Sequence, residues 1–525
     1  MNPALPAAAT RRPPWYLVLP AGAAAVGTVL PILYLILRAL DAEPQQLATL
    51  ILRSRNLVLF GNTIALTLGV LTACAVLALP LAWLTVRSDI KHKRLLTFMG
   101  VLPLAIPGYV MAYSLISLGG NYGFLARIFD WVVPRPRGYM GALAALTLYT
   151  YPYLFLNLRA AFLGLDPALE ESSRSLGYTS MQTFLHVTLP HLKPAFLAGG
   201  VVISLYVLGD FGAVALMRFE VFSYAIYTQY SSAFNRVYAA WLSLMLLTMS
   251  LSVVLLEGRL LGRAKLARVA TGVARKGRSV RLGWWRPATY LYLTLLFGAS
   301  LGLPAVVLTY WLTLSPPSIE PLRFAGVFMR SAAASAPAAV VAGLFALPIA
   351  YIRIRYPSRI SRTIERLSYV GYAIPPLALA LAMVFFSLRS APWLYQTLPL
   401  LVLAYSLNFL ALAIGPIRSS LLQSSPRLEE AARSLGRTRF EAFVFTVLPS
   451  LRRGILAGMV LVFVIAMKEL PITFLLAPTG YLTLSVSVFG RTSEALLAEA
   501  APYAAAIVVF SSLFVGLMLK YEGRH

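Results

Sequence analysis

Twelve apolar runs, each long enough to cross a bilayer, decide what this chain can fold into. About 20 residues at 1.5 Å rise span the hydrocarbon core as a helix. Lipid offers backbone groups no partner, so only elements that satisfy their own hydrogen bonds persist there. The runs lie near 15–38, 57–86, 95–117, 139–160, 195–217 and 239–258, then 288–313, 326–352, 367–388, 396–417, 454–476 and 501–519. The chain is 59% hydrophobic and 12% charged, against roughly 45–50% apolar and 25% charged in soluble domains. An all-α integral membrane protein of about twelve transmembrane helices is expected. The first run follows Arg11-Arg12, but Trp15 to Leu37 is longer than a signal-peptide core, so it reads as an uncleaved helix. The single cysteine, Cys74, excludes an intrachain disulfide framework and a Cys-rich metal site.

The net charge of +26 points to orientation, not to nucleic acid. With the N-terminus in the cytoplasm, inner loops carry about 32 of the Lys and Arg residues and outer loops about 12, the positive-inside bias. Both termini are then cytoplasmic. Arg87, Lys91, Lys93 and Arg94 share one inner loop; Arg353, Arg355, Arg359, Arg362 and Arg366 share another.

The runs form two halves that repeat. "ALPLA" (78–82) matches "ALPIA" (346–350) at an offset of 268, and "AIP" (105–107) matches "AIP" (373–375) at the same offset. From Pro167 to Pro194 the halves align without gaps at an offset of 259, with 13 identities in 28 positions. Six spans per half make the repeats parallel. The expected organisation is an N-terminal half, 1–258, a basic cytoplasmic linker, 259–287, and a C-terminal half, 288–525. Within the linker "GVARKGRS" (272–279) falls one residue short of a phosphate-loop pattern: Arg278 replaces the lysine, and no buried strand precedes it. A solvated linker is the expectation there.

The best-preserved repeat is charged: "LEESSRSLG" (169–177) returns as "LEEAARSLG" (428–436). Asp166-Pro167 and Ser425-Pro426 supply an N-cap and a first-turn proline. Glu170, Glu171, Glu429 and Glu430 fall where the helix dipole favours negative charge. Gly177 and Gly436 suit a left-handed helix end. Thr179/Gln182 and Thr438/Glu441 then form capping boxes for a second helix, expected to stop at Leu189-Pro190 and Leu448-Pro449. Two loops, 166–194 and 425–453, therefore each read as helix, glycine bend, helix at the cytoplasmic face. An amphipathic loop lying on lipid is the plainer reading, but paired carboxylates suit an anionic membrane surface poorly.

The pattern E-A-A-x3-G-x9-I-x-L-P marks the permease subunits of binding-protein-dependent ABC importers, and the chain resembles them. It carries Glu171-Ser172-Ser173, Gly177, Val187, Leu189-Pro190, and Glu430-Ala431-Ala432, Gly436, Thr446, Leu448-Pro449. The first copy departs at the two alanines and the second at the aliphatic position. The resemblance implies a type I importer permease fold in a bacterial inner membrane and a periplasmic substrate-binding protein. It also implies two separate ATP-binding subunits, each seated on one loop through Glu170, Glu171, Gly177, Leu189 and Pro190 or Glu429, Glu430, Gly436, Leu448 and Pro449. The chain itself would hydrolyse nothing and hold no cofactor. Two fused halves, with "YVLGDFGAVALMRFE" (206–220), "AIYTQY" (225–230) and "KELPITFLL" (468–476), are most similar to the ferric-iron permeases. A permease for thiamine, whose importers are also fused, or for another small solute is the alternative. By topology alone a twelve-helix ion-coupled secondary transporter competes. A membrane enzyme has no HExxH, GxSxG or metal cluster to stand on.

Asp210 and Glu469 occupy equivalent positions about fifteen residues into an apolar helix. A carboxylate there costs about 2.5–3.5 kcal/mol at the bilayer centre, so it faces the bundle interior or a water-filled path. Either a place in the translocation path or a structural hydrogen bond would explain it. Lys468 and Tyr206 join them as path candidates. The four histidines all lie near or beyond helix ends, and no resident metal site is expected.

Overall fold

The apolar runs form helices, and two of the three bent ones break at a proline that the repeat shares. The computed structural model describes residues 13–41, 49–51, 53–262, 279–314 and 320–522. Eight continuous helices are long and apolar enough to span a membrane: α1 (Trp15–Leu40), α2 (Ser54–Arg87), α5 (Ser180–Gly209), α6 (Arg236–Leu260), α7 (Gly283–Thr313), α8 (Pro321–Arg355), α11 (Arg439–Met467) and α12 (Leu497–Leu517). Three more are bent pairs: α3 (Lys93–Ala105 with Gly108–Ile116), α9 (Arg359–Ala373 with Pro376–Ser390) and α10 (Leu398–Asn408 with Leu410–Gln423). The fourth apolar run is α4 (Gly138–Gly164), 27 residues. Twelve membrane-length elements therefore stand among the described residues.

The bends in α3 and α9, 90° and 107°, come from the repeated "AIP". Proline disfavours the helical region for the residue before it. Ile106 accordingly sits at φ −96°, ψ 108° and Ile374 at φ −77°, ψ 124°. Hydropathy alone predicts straight spans at both places.

The chain divides into two compact units that are not the two sequence halves. One contains Met1–Leu47, Asn235–Leu244 and Pro321–Val486; the other contains Ala48–Phe234, Met245–Glu320 and Ser487–His525. The first unit thus joins α8 to α11 with α1 from the other repeat. The second joins α2 to α5 with α7 and α12. α6 contributes to both.

Inside each unit the repeat is packed alike. α4 runs against α2 and α5 in one, and its counterpart α10 against α8 and α11 in the other. Small residues let these helices approach, as membrane interfaces require in the absence of a hydrophobic drive between them. A Cβ at Gly199 of α5 would lie 2.8 Å from Leu154 Cδ1; a Cβ at Gly458 of α11 would lie 2.9 Å from the Ala413 carbonyl oxygen. Both pairs are related by the 259 offset. In the first unit Glu365 clamps three helices, accepting from Arg353 at 2.6 Å and Arg418 at 3.0 Å.

Most of the linker, and with it residues 272–278 of the phosphate-loop-like stretch, lies outside the described residues. Its C-terminal end is clipped to the loop after α2. Asp89 N–H donates to Val280 O and Val280 N–H to Arg87 O, while Asp89 accepts from Leu282 N–H at 2.9 Å and Arg286 at 2.7 Å. These bonds hold the Asp89 carboxyl below the usual carboxylate range, the Leu282 amide first and the Arg286 guanidinium second.

Candidate functional site

The two charged loops fold from local sequence alone. Asp166 caps Pro167–Ser175 through Ala168 N–H at 3.0 Å, and Ser425 caps Pro426–Ser434 through Arg427 N–H at 3.3 Å. Each helix ends at a glycine with positive φ, +91° at Gly177 and +87° at Gly436. The bonds Tyr178 N–H to Ser173 O and Arg437 N–H to Ala432 O close the helix ends over those glycines. Both capping boxes form, Thr179 with Gln182 and Thr438 with Glu441. The two short helices of the first loop meet through the buried hydroxyls of Ser173 and Thr183, 3.1 Å apart. Ala432 and Ala442 stand at those positions in the second loop. A hydrogen-bonded pair in one copy is thus a pair of methyls in the other.

The second helix does not stop at Leu-Pro. Ser180–Gly209 and Arg439–Met467 run through it, with a widened turn at Phe184–Thr188 and at Phe443–Val447. Proline lacks an N–H and crowds the carbonyl four residues back, and a π turn relieves both. Leu189, Pro190, Leu448 and Pro449 therefore sit just past the swivel that joins each loop to α5 or α11.

The paired glutamates divide. Glu170 turns inward: it accepts from the Thr188 hydroxyl at 3.0 Å and lies 3.7 Å from the buried Arg87 guanidinium. Glu429 accepts from the Tyr351 hydroxyl at 2.8 Å. Glu171 and Glu430 are exposed. Arg87, ending α2, also donates to Leu165 O at 3.3 Å, and Arg355, ending α8, donates to Ser424 O at 3.0 Å. The two arginines are related by the 268 offset and the two carbonyls by 259, so each loop is pinned at its start in the same way. The resemblance puts both glutamates of each pair among the coupling residues, with Glu171 and Glu430 as the contacts, and does not single out Arg87, Arg355 or Tyr351; the matching arginines after "ALPLA" and "ALPIA" are the available signal. It also passes over Leu176 and Leu435, next to the glycines, which are 79% and 85% exposed.

Asp210 and Glu469 lie at helix breaks, not within continuous helices. α5 ends at Gly209 and α11 at Met467, and short helices follow at Gly212–Leu216 and Pro471–Leu476. Asp210 Oδ1 accepts from Ala213 N–H at 2.9 Å and Val214 N–H at 3.3 Å; Glu469 Oε1 accepts from Ile472 N–H at 3.3 Å. Ser223 donates to Asp210 O and Ser485 to Glu469 O, both at 2.6 Å. Each carboxylate therefore caps the helix that restarts after the break. A Cβ at Gly108 would lie 2.8 Å from Asp210 Oδ2 and from Tyr149 Cε1, so only glycine lets this carboxylate sit there. Tyr206 stacks on Tyr153 at 4.6 Å and meets Tyr149, the ring beside the acid, edge-on at 6.5 Å. Lys468, half-buried, closes the C-terminal turn of α11.

Among the described residues no group of three His, Cys, Asp or Glu side chains is placed to hold a metal ion. What the fold presents instead is an exposed helix–glycine–helix loop and a capped helix break in each unit. The chain belongs to the family of binding-protein-dependent transport system inner membrane components, matched over residues 65–264 and again over 338–522. It is a multi-pass inner-membrane permease, and members of this family work with an ATPase and a binding protein and are not themselves enzymes. Among its relatives, the Fe(3+)-transport system permease protein FbpB 2 of Haemophilus influenzae is 34% identical over 516 residues, 97% of this chain and 99% of that protein. The ferric transport system permease protein FbpB of Actinobacillus pleuropneumoniae is 22% identical over 89% of this chain and 71% of its own length. The molybdenum transport system permease protein ModB of Escherichia coli is 32% identical over 29% of this chain and 69% of its own.

Proposed function

We propose that the chain is the fused permease of an ATP-driven ferric-ion importer, fed by a soluble receptor on the outer face and driven by two ATPase subunits on the inner one. The observation that carries the cargo is end-to-end similarity, through both halves and the linker, to a permease named for Fe(3+); the molybdenum relative matches 29% of the chain. Two loops imply two ATPase contacts. Glu171, Glu430, Leu176 and Leu435 face the ATPase, while Glu170, Glu429, Arg87 and Arg355 hold the loops to the bundle, so that closure of the ATPases moves α5 and α11. Both termini and both loops lie in the cytoplasm, and the halves run 1–258 and 288–525 on either side of the linker. Asp210, Glu469, Lys468 and Tyr206 border the path. Carboxylate and phenol oxygens are the donors a hard cation accepts.

The test is uptake of radiolabelled ferric ion by cells at limiting iron, with and without the gene. Loss on deletion and recovery on return of the intact gene supports the reading; equal uptake in both removes ferric ion as the cargo.

A further inference from the structure

We propose that Arg159 of α4 marks a binding site for the phosphate of an anionic lipid headgroup, at the foot of the loop 166–194. The repeat exposes it. In the first unit Glu365 of α9 ties Arg353 of α8 to Arg418 of α10, at 2.6 and 3.0 Å. In the second unit the places of Arg353, Glu365 and Arg418 hold Thr85, Thr97 and Arg159, at offsets of 268, 268 and 259. The arginine is kept and its carboxylate is gone.

Packing keeps the three positions together. A Cβ at Gly100 would lie 2.9 Å from Phe155 Cε1 and 3.0 Å from Leu81 Cδ2, so α2, α3 and α4 touch there. Thr85 and Arg159 come four residues after Leu81 and Phe155, and Thr97 three residues before Gly100. The bonds of Arg87 to Leu165 O and of Lys93 to Val86 O bring the matching helix ends together. All three side chains therefore stand about one turn closer to the loop than the Gly100 contact. Arg159 is half-buried, and its Nε is closed off from water without a hydrogen-bond partner. Among the described residues nothing forms an ion pair with it. Thr97 donates to Lys93 O at 2.8 Å and Thr85 to Leu81 O at 2.9 Å, so neither hydroxyl replaces the lost charge. Lys93 stands where the first unit has Ser361 and adds a cation four residues before Thr97, on the same helix face.

The acids of this end do not supply the counter-charge. Asp89 also faces Lys93 but is paired with Arg286, Asp166 caps its helix, and Glu170 holds Arg87. Glu171 and Glu257 form no ion pair among the described residues. Outside those residues, the stretch 263–278 carries no acid, and Glu522, five residues past Leu517 of α12, enters the test below. An uncompensated, partly buried guanidinium is costly, and a phosphate oxygen is its natural partner, with the Lys93 ammonium beside it. Basic pockets between spanning helices hold lipid headgroups in this way. Arg159 lies five residues from the end of α4, about 8 Å at 1.5 Å rise, and Leu163, one turn further on, is exposed. That depth, with an apolar side chain open beside it, favours a lipid over a free phosphate. The headgroup would do for α3 and α4 what Glu365 does for α9 and α10.

The full-length permease is placed in phosphatidylcholine nanodiscs holding a graded fraction of phosphatidylglycerol. Native mass spectrometry counts the retained phosphatidylglycerol, and amide exchange over 93–101 reads the tie between α3 and α4. Arg159→Gln should lower phosphatidylglycerol affinity about tenfold, the lower range for a charged hydrogen bond at a half-buried site. It should also remove the slowing of exchange that the lipid brings, and Arg159→Lys should keep more of both. Thr97→Glu restores the carboxylate of the first unit, so it should lose the lipid yet exchange slowly in phosphatidylcholine alone. Wild-type lipid affinity in Arg159→Gln overturns the site. Should that variant fail to insert, wild-type lipid affinity in Thr97→Glu overturns it instead. Inorganic phosphate that displaces phosphatidylglycerol and slows exchange equally well assigns the site to a free phosphate and overturns the lipid. Affinity that rises in Glu522→Gln shows a carboxylate of the chain already in the place, and overturns the proposal as well.

Discussion

Replacing Glu170 and Glu171 one at a time separates the two jobs of the charged pair. Glu170→Ala removes the Thr188 bond at 3.0 Å and the Arg87 partner at 3.7 Å, and leaves a guanidinium that is 9% exposed with the Leu165 carbonyl at 3.3 Å. A hydrogen bond to a charged group contributes about 1.5–3 kcal/mol, and stranding a buried charge adds to its loss. The loop should therefore loosen by about 2–3 kcal/mol. Glu171 is exposed, and a surface change of this kind stays within about 0.5 kcal/mol. Amide hydrogen exchange over residues 166–190 of the isolated permease reads local opening directly. Exchange should speed up about 30- to 150-fold in Glu170→Ala and hardly at all in Glu171→Ala. Binding of the ATPase subunit should fail in Glu171→Ala while the loop stays protected. Equal exchange in Glu170→Ala and wild type would refute an internal role for the first glutamate.

At Gly436 φ is +87° and a Cβ would meet nothing within 4 Å, so Gly436→Ala costs backbone strain alone, about 1–2 kcal/mol. Gly436→Asn should cost less, and exchange over 426–442 orders the two. Gly108→Ala drives a methyl to 2.8 Å from Asp210 Oδ2 and Tyr149 Cε1; overpacking of this kind costs about 1–3 kcal/mol. Iron uptake should fall while the protein still inserts, and uptake at the wild-type level would show that the carboxylate's place is not critical. Asp89 titrates below the usual carboxylate range. The clip to Leu282 and Arg286 is therefore present at neutral pH and is lost only as pH falls through that lowered value. Fluorescence of the exposed Trp284 and Trp285 should change in that acid window, and in Asp89→Asn the change should already be present at pH 7.

Local signals carried far in this chain. Caps, glycine bends and capping boxes of both loops follow from a few adjacent residues, and they stand in the structure where the sequence puts them. What lay beyond reach depends on partners distant in the chain. That Glu170 faces Arg87 and Glu171 faces outward is set by the approach of α2, which no spacing within the nonamer encodes. The helix breaks at Asp210 and Glu469 hid inside apolar runs because hydropathy does not register a change of backbone direction. Proline misled in the opposite sense at Leu189-Pro190, where a widened turn carries the helix on. The association of α1 with α8 to α11 was also unreadable, since a repeat in sequence does not say which copy a helix packs against.

The most direct test of the central claim is transport in proteoliposomes holding the purified permease, its ATPase subunits and the iron-loaded receptor, with ATP supplied on the loop side. Ferric ion should enter only with ATP and receptor together, stop in the Glu171→Ala, Glu430→Ala double variant, and not be replaced by molybdate. Entry without ATP, or ATP-driven entry of molybdate and not of iron, would contradict the account.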